Sequence, residues 1–353
     1  KYSQLANIVR LLVQMAIAYY TRDYYLWIVM ELIFAIIYSI ILTRRVNKIY
    51  PFLRANIRDG KRLLKSYPEL ITKTKQLFVH SMAAVILGNL SPVILYAYTS
   101  AVMIAHYTNY TIITLKLGQL ISHLFSSVDA AVGSVIAEGK GEMIQRVFWE
   151  ISSLYYLIAG VIVITLYFLI NPFIILFFGA EYVLPQLTVF IILFNFYLSI
   201  TRTGNGLFIS GYGLFYDTWA PVTEAIINVA VSVVGGIYFG INGVLFGTTL
   251  SVVLIVHIWK PYFLFKQGFK DRLSHYWLTI TKYISAGVIT FGIIFYLSDL
   301  VAFRAEESYF QWFTYACAVF VITSLVLGLL MYVSSRGLRD AVDRITNNLL
   351  KRI

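Results

Sequence analysis

The residues in this sequence that could do chemistry are charges set inside apolar runs. Arg202 lies about seven residues before the end of one apolar segment, and Glu224 about seven residues into the next. A charge at the centre of a membrane helix costs at least roughly 2.5 kcal/mol, so such groups face a partner or a wet cavity. If the two segments form a hairpin, Arg202 and Glu224 share one depth and an ion pair is within reach. Helical spacing extends each site as a polar stripe: Asn195, Ser199, Arg202 and Gly206 on one helix, Glu224, Asn228 and Ser232 on the next. An earlier segment carries Lys116, Gln119, His123 and Ser126 on one face, and the first carries Asn7, Arg10 and Gln14. Four helices with polar faces predict a hydrated cavity in a helix bundle.

Each of these residues also has a plainer reading. Arg10 and Lys116 fit side chains that snorkel to headgroups, Arg202 with Glu224 fits a static brace, and His123 fits a packing histidine. The pairs Gly236/Gly240 and Gly243/Gly247 fit close helix packing. Pro92 and Pro172 read as helix-end prolines.

Several chemistries are excluded or unsupported. There is no Gly-Lys-Ser nucleotide loop, and Gly211-Tyr-Gly213 reads as a turn. The five histidines are not spaced as metal ligands, and the single cysteine, Cys317, leaves no disulfide within the chain. No catalytic constellation is evident, so the expectation is a protein that is not an enzyme and uses no cofactor.

The elements that must position these residues are about ten apolar segments of near membrane-spanning length. They read as 5–21, 24–43, 78–100, 110–136, 151–178, 187–209, 217–239, 241–259, 280–297 and 312–333. The chain is 59% hydrophobic and 13% charged, against roughly 25% charged in soluble domains. Most of its 28 Lys and Arg residues sit in alternate connections or near the chain ends, the positive-inside pattern. The net charge of +11 therefore points to anionic headgroups and not to nucleic acid. The stretch from Arg44 to Lys75 holds ten basic and two acidic residues and is expected to be cytoplasmic, as are both chain ends. Its second half, with Ile57, Leu63, Leu64, Tyr67, Leu70 and Ile71, fits either a helix on the membrane surface or a plain basic linker. The sequence begins at Lys1 and leads directly into a span, which suggests the later portion of something longer.

With these residues in place, a resemblance emerges. Arg202-Thr-Gly-Asn-Gly-Leu-Phe-Ile-Ser-Gly-Tyr-Gly-Leu-Phe, then Pro221-Val-Thr-Glu-Ala-Ile-Ile-Asn228, Gly240-Ile-Asn-Gly-Val-Leu-Phe-Gly-Thr-Thr-Leu-Ser251 and Trp259-Lys-Pro261 resemble the bacterial polysaccharide and O-antigen flippases. These belong to the multidrug/oligosaccharidyl-lipid/polysaccharide exporter superfamily. Asn109-Tyr, Gly133-Ser with Glu138-Gly139, and Asn171-Pro-Phe-Ile-Ile-Leu-Phe-Phe-Gly179 fit the same pattern. The resemblance implies an all-α two-lobe exporter fold with an incomplete first lobe, the first four helices being absent. Residues 1–43 would end the first lobe, 44–77 would be a basic cytoplasmic linker, 78–260 a six-helix second lobe, and 261–353 two trailing helices with a basic tail. Relatives often carry an Asp in the first helix of the second lobe. Here that region reads Gly88-Asn-Leu-Ser-Pro-Val-Ile-Leu-Tyr96, so any ion coupling must use another group.

The function implied is the flipping of a lipid-linked (undecaprenyl diphosphate) oligosaccharide across the bacterial inner membrane by alternating access. On that reading Arg202, Arg10 and Lys116 attract the diphosphate or acidic sugars, with Gln119, His123, Asn195 and Asn228 completing the substrate site. Glu224, Asp129 and Glu31 are the candidates for coupling to a proton or sodium gradient. Membrane lipids and the polysaccharide polymerase machinery are the expected partners. Two alternatives stay open: a multidrug exporter of the same superfamily, and a membrane polysaccharide polymerase, for which Glu306-Glu307 is the nearest acidic pair.

Overall fold

The computed structural model describes residues 2–53, 60, 64, 66–300 and 306–350. Among them the protein is helical throughout, with no strand. The reason is the solvent: where no water reaches the backbone, a helix satisfies every N–H and C=O within one segment. Among the described residues, eight helices are long and apolar enough to cross a membrane, or nine if one bent pair is a single span. This is the architecture of a multi-pass membrane protein. The first segment forms helix α1 (Tyr2–Thr21) but is not among those eight. Of the proposed surface stretch, Ile57 and Leu63 lie outside the described residues, whereas Leu70 and Ile71 stand in the first turn of the helix Pro68–Tyr98.

The chain divides into two compact units, Lys1–Ile71 and Thr72–Ile353. In the first, α1 and α2 (Tyr24–Ile49) form a hairpin. Asp23 caps α2, accepting a hydrogen bond from the Tyr25 amide at 2.8 Å, the usual role of a short polar residue at a helix start.

The remaining helices are α3 (Pro68–Tyr98), α4 (Ala101–Leu124), α5 (Val128–Ala137), α6 (Gly141–Phe177), α7 (Gln186–Gly211), α8 (Trp219–Phe239), α9 (Ile241–Phe269), α10 (Leu273–Leu300), α11 (Tyr309–Ser334) and α12 (Arg336–Leu350). Helix α6 is the hub of the second unit, packing on α7, α10, α11 and α12. At 37 residues it measures about 55 Å at 1.5 Å per residue, well beyond the ~30 Å hydrocarbon core. Phe148 on α6 is fully buried and meets Phe208, Phe265 and Phe269 edge-on, with ring centroids 5.0 to 5.7 Å apart.

Three expectations are corrected. Pro92 and Pro172 lie inside α3 and α6, which continue through them; neighbouring helices and polar side chains let membrane helices tolerate proline. The segment expected at 110–136 is two helices, α4 and α5, bent by 46° at residues 125–127. The pair Gly243/Gly247 packs closely on α8 as read, Gly243 against Gly235 and Gly247 against the backbone of Asn228 and Ser232, whereas Gly240 of the other pair has open space around it. The two backbones touch at Gly235 and Gly243, so that a Cβ on either glycine would collide with the other residue. That contact locks the α8–α9 hairpin, and the hairpin fixes where Glu224, Asn228 and Thr248 stand.

Candidate functional site

In the unit from Thr72 onward, the polar stripes open onto two cavities. The larger holds about 650 Å³ and includes Gln119, His123, Asp129, Asn195 and Ser199 in its wall. The second holds about 410 Å³ and is lined by Arg202, Asn205, Glu224, Asn228, His80 and Lys260, among others. Thr248 borders both. Its hydroxyl accepts a hydrogen bond from the Asn228 amide at 3.1 Å and pairs with Ser91 at 3.3 Å. The stretch of α3 that has no acid therefore contributes a hydroxyl to the partition. Asn195 is held against α9: its amide donates to the Leu245 carbonyl at 3.2 Å and its oxygen accepts from Thr249 at 2.8 Å.

The expected site residues thus separate. Gln119, His123, Asp129 and Asn195 line the first cavity, whereas Arg202, Glu224 and Asn228 line the second. Lys116 is exposed, with its ammonium 3.5 Å from the Gln119 side-chain oxygen. Arg10 and Glu31 belong to the α1–α2 hairpin, where they form an ion pair at 2.5 Å. Gln14, one turn further along α1, is buried and donates to the Trp27 carbonyl at 3.3 Å.

Arg202 and Glu224 share a cavity, yet among the described residues they form neither a hydrogen bond nor an ion pair with each other. Glu224 is buried, while Arg202 reaches open space. Around them Asn205 and Asn228 are 5% and 2% exposed, and each keeps an amide oxygen without a partner. Buried polar atoms nearly always find one. Both side chains line the cavity together with Arg202.

The ionic cluster that the sequence reading missed borders the same cavity through His80 and Lys260. Asp217, in the link between α7 and α8, is 2% exposed. One of its oxygens accepts from the Lys260 ammonium at 2.7 Å and the Trp259 indole at 3.1 Å; the other faces His80 Nε2 at 3.4 Å. Burial raises the pKa of this carboxyl, but the nearby His80 ring and the hydrogen bonds from Lys260 and Trp259 outweigh it, and the net effect is a value below the ordinary one. Lys73 also ties α3 to the link, donating to the Gly213 carbonyl at 2.8 Å. The one sequence signal was a lone acid beside aromatics at a segment boundary, and it read as the start of a span. In the structure α8 begins at Trp219.

A further buried acid, Glu150 on α6, meets Arg344 of α12 at 3.1 Å. Arg146 pairs with Asp340 at 3.1 Å. Ser335 caps α12 by accepting from the Leu338 amide at 3.2 Å, and Leu338 and Ala341 are buried. The basic tail is thus docked on α6. Among the described residues no group of His, Cys, Asp and Glu is arranged to hold a metal ion.

The chain matches no family model, and no curated protein or solved structure matches it.

Proposed function

We propose that this protein is a flippase that moves a lipid-linked (undecaprenyl diphosphate) oligosaccharide from the inner to the outer leaflet of a bacterial inner membrane, with both described ends on the cytoplasmic side. The observation that carries the reading is the second cavity. Among the described residues Arg202 has no bonded partner there, and the amide oxygens of Asn205 and Asn228 are unpaired. A guanidinium matches a diphosphate, to which it can donate two parallel hydrogen bonds, and amide oxygens accept from sugar hydroxyls. The polar first cavity, behind the Thr248 partition, extends the space for a sugar chain. The physical problem is to carry an anionic, hydrated headgroup across hydrocarbon, and a cationic wet cavity lowers that barrier while the lipid tail stays in the bilayer.

The test is complementation of a flippase-deficient strain. Arg202→Ala is expected to reach the membrane and fail to restore polymer export, and Arg202→Lys to restore it in part, since the charge is kept and the planar fork is lost. Full export by Arg202→Ala would overturn the assignment. Drug resistance conferred without polymer export would favour a multidrug exporter. Orientation is checked in a Cys317→Ala background: a cysteine at Arg339 should be labelled from the cytoplasm and one at Tyr182 from outside.

A further inference from the structure

The cluster around Asp217 draws on three parts of the second unit. His80 comes from α3, Asp217 from the α7–α8 link, and Trp259 and Lys260 from α9. His80 and Lys260 also line the Arg202 cavity. The hydrogen bonding inside the cluster is uneven. Both donors from α9 fall on one Asp217 oxygen. The other oxygen is buried and has no hydrogen bond, with His80 Nε2 standing 3.4 Å away. His80 Nε2 also sits 3.2 Å from the Phe215 carbonyl. Both of its neighbours are acceptors, so Nε2 carries a hydrogen in either charge state. The other ring nitrogen has no partner among the described residues and is the atom left to take a proton.

We propose that His80, Asp217 and Lys260 form a proton-binding site that couples the cavity to a proton gradient. A proton from water adds to His80 Nδ1 and makes an imidazolium. The imidazolium closes on the unbonded Asp217 oxygen and supplies the carboxylate with a second cation. Lys260 is then free to turn from Asp217 into the cavity, toward Glu224 and an anionic guest beside Arg202. Loss of the proton reverses the exchange and returns Lys260 to Asp217. No covalent bond other than N–H forms or breaks. The charged and titratable groups that surround His80 are Lys73 on its own helix, Tyr216 and Asp217 on the link, Arg202 on α7, Glu224 on α8 and Lys260 on α9. Of these groups, the imidazole is the one whose unbonded nitrogen can accept a proton.

The coupling role rests on the flippase reading, whereas the proton site itself can be read without any substrate. The Trp259 indole donates to the same Asp217 oxygen as Lys260, so its emission reports the exchange. Tryptophan emission of the purified full chain is recorded from pH 8 to pH 5. We expect a sigmoidal change that disappears in Trp259→Phe and in His80→Gln, whose amide can still donate to the Phe215 carbonyl. Asp217→Asn, which keeps His80 and removes the carboxylate charge, is expected to lose it too. A change that survives in His80→Gln, or no change in the wild type, overturns the proton site. The second arm uses vesicles holding the protein and a fluorescent polyprenyl diphosphate disaccharide. With one proton per lipid, each pH unit of gradient shifts the steady distribution of the probe by up to about tenfold, and His80→Gln loses that shift. A shift driven by sodium, or by protons in His80→Gln, overturns the coupling and leaves the flippase reading standing. Failure of the wild type to move the probe, with the emission change intact, overturns the flippase reading and the coupling role together and leaves the proton site.

Discussion

The α1–α2 hairpin and the second cavity each place charges within apolar helices, and they resolve the cost in opposite ways. In the hairpin Arg10 and Glu31 pair directly, and Gln14 closes on a backbone carbonyl. In the cavity Arg202 and Glu224 stay unbonded among the described residues although they line one space. A pair closed inside the protein is a brace, because each charge already has its counter-ion. Charges held open are tolerable only where water or a ligand meets them, and that marks the cavity, not the hairpin, as the place to look for function. The Asp217 cluster lies between these extremes, with one carboxylate oxygen doubly bonded to donors and the other open.

The largest expected effect comes from breaking the buried cluster. Asp217→Ala leaves the Lys260 ammonium, 14% exposed, without its counter-ion, and such a loss costs about 3–5 kcal/mol, to be read from unfolding in detergent. The pH dependence follows from the lowered Asp217 pKa. Its contribution is fully present above the unfolded carboxylate value of about 4 and fades as pH falls through the lower folded value. Asp217→Asn should flatten that part of the acid limb.

Next comes Arg202→Ala, which removes a group with no bonded partner. Export should fall by about tenfold or more, equivalent to ~1.4 kcal/mol of lost interaction with the transported headgroup, with no more than about 0.5 kcal/mol of stability lost. A stability loss as large as that of Asp217→Ala would make Arg202 a brace and erase the contrast between the two regions.

A smaller effect is expected in the hairpin. Arg10 and Glu31 side chains are 29% and 46% exposed, so a double-mutant cycle with Arg10→Gln and Glu31→Gln should give a coupling of about 0.2–1 kcal/mol, and export should persist. Loss of export on neutralising Arg10 would move that residue into the transport path. Smallest of all is the coupling between Arg202 and Glu224. Their stability losses should add to within about 0.5 kcal/mol, because the side chains do not meet. Strong non-additivity would mean that they pair in another conformation.

The sequence by itself determined the helices and the polar faces. An apolar run of about twenty residues can satisfy its backbone in a membrane in few ways, and that constraint is local. The segment read at 187–209 is therefore α7 at Gln186–Gly211, and the one read at 312–333 is α11 at Tyr309–Ser334. The stripe Asn195, Arg202 and the stripe Glu224, Asn228 were legible for the same reason, since helical spacing assigns faces without knowledge of neighbours. Tertiary structure alone decided what each face meets. It put Asn195 and Arg202 on separate cavities divided by Thr248. It kept Arg202 from Glu224 although their depths agree. It gave Asp217 its partners from helices more than forty residues before and after it in the chain. Depth along a helix follows from counting residues, whereas rotation and distance between helices follow from packing such as the Gly235–Gly243 contact. Those contacts are set by side-chain volumes on several helices at once, which no single stretch of sequence encodes.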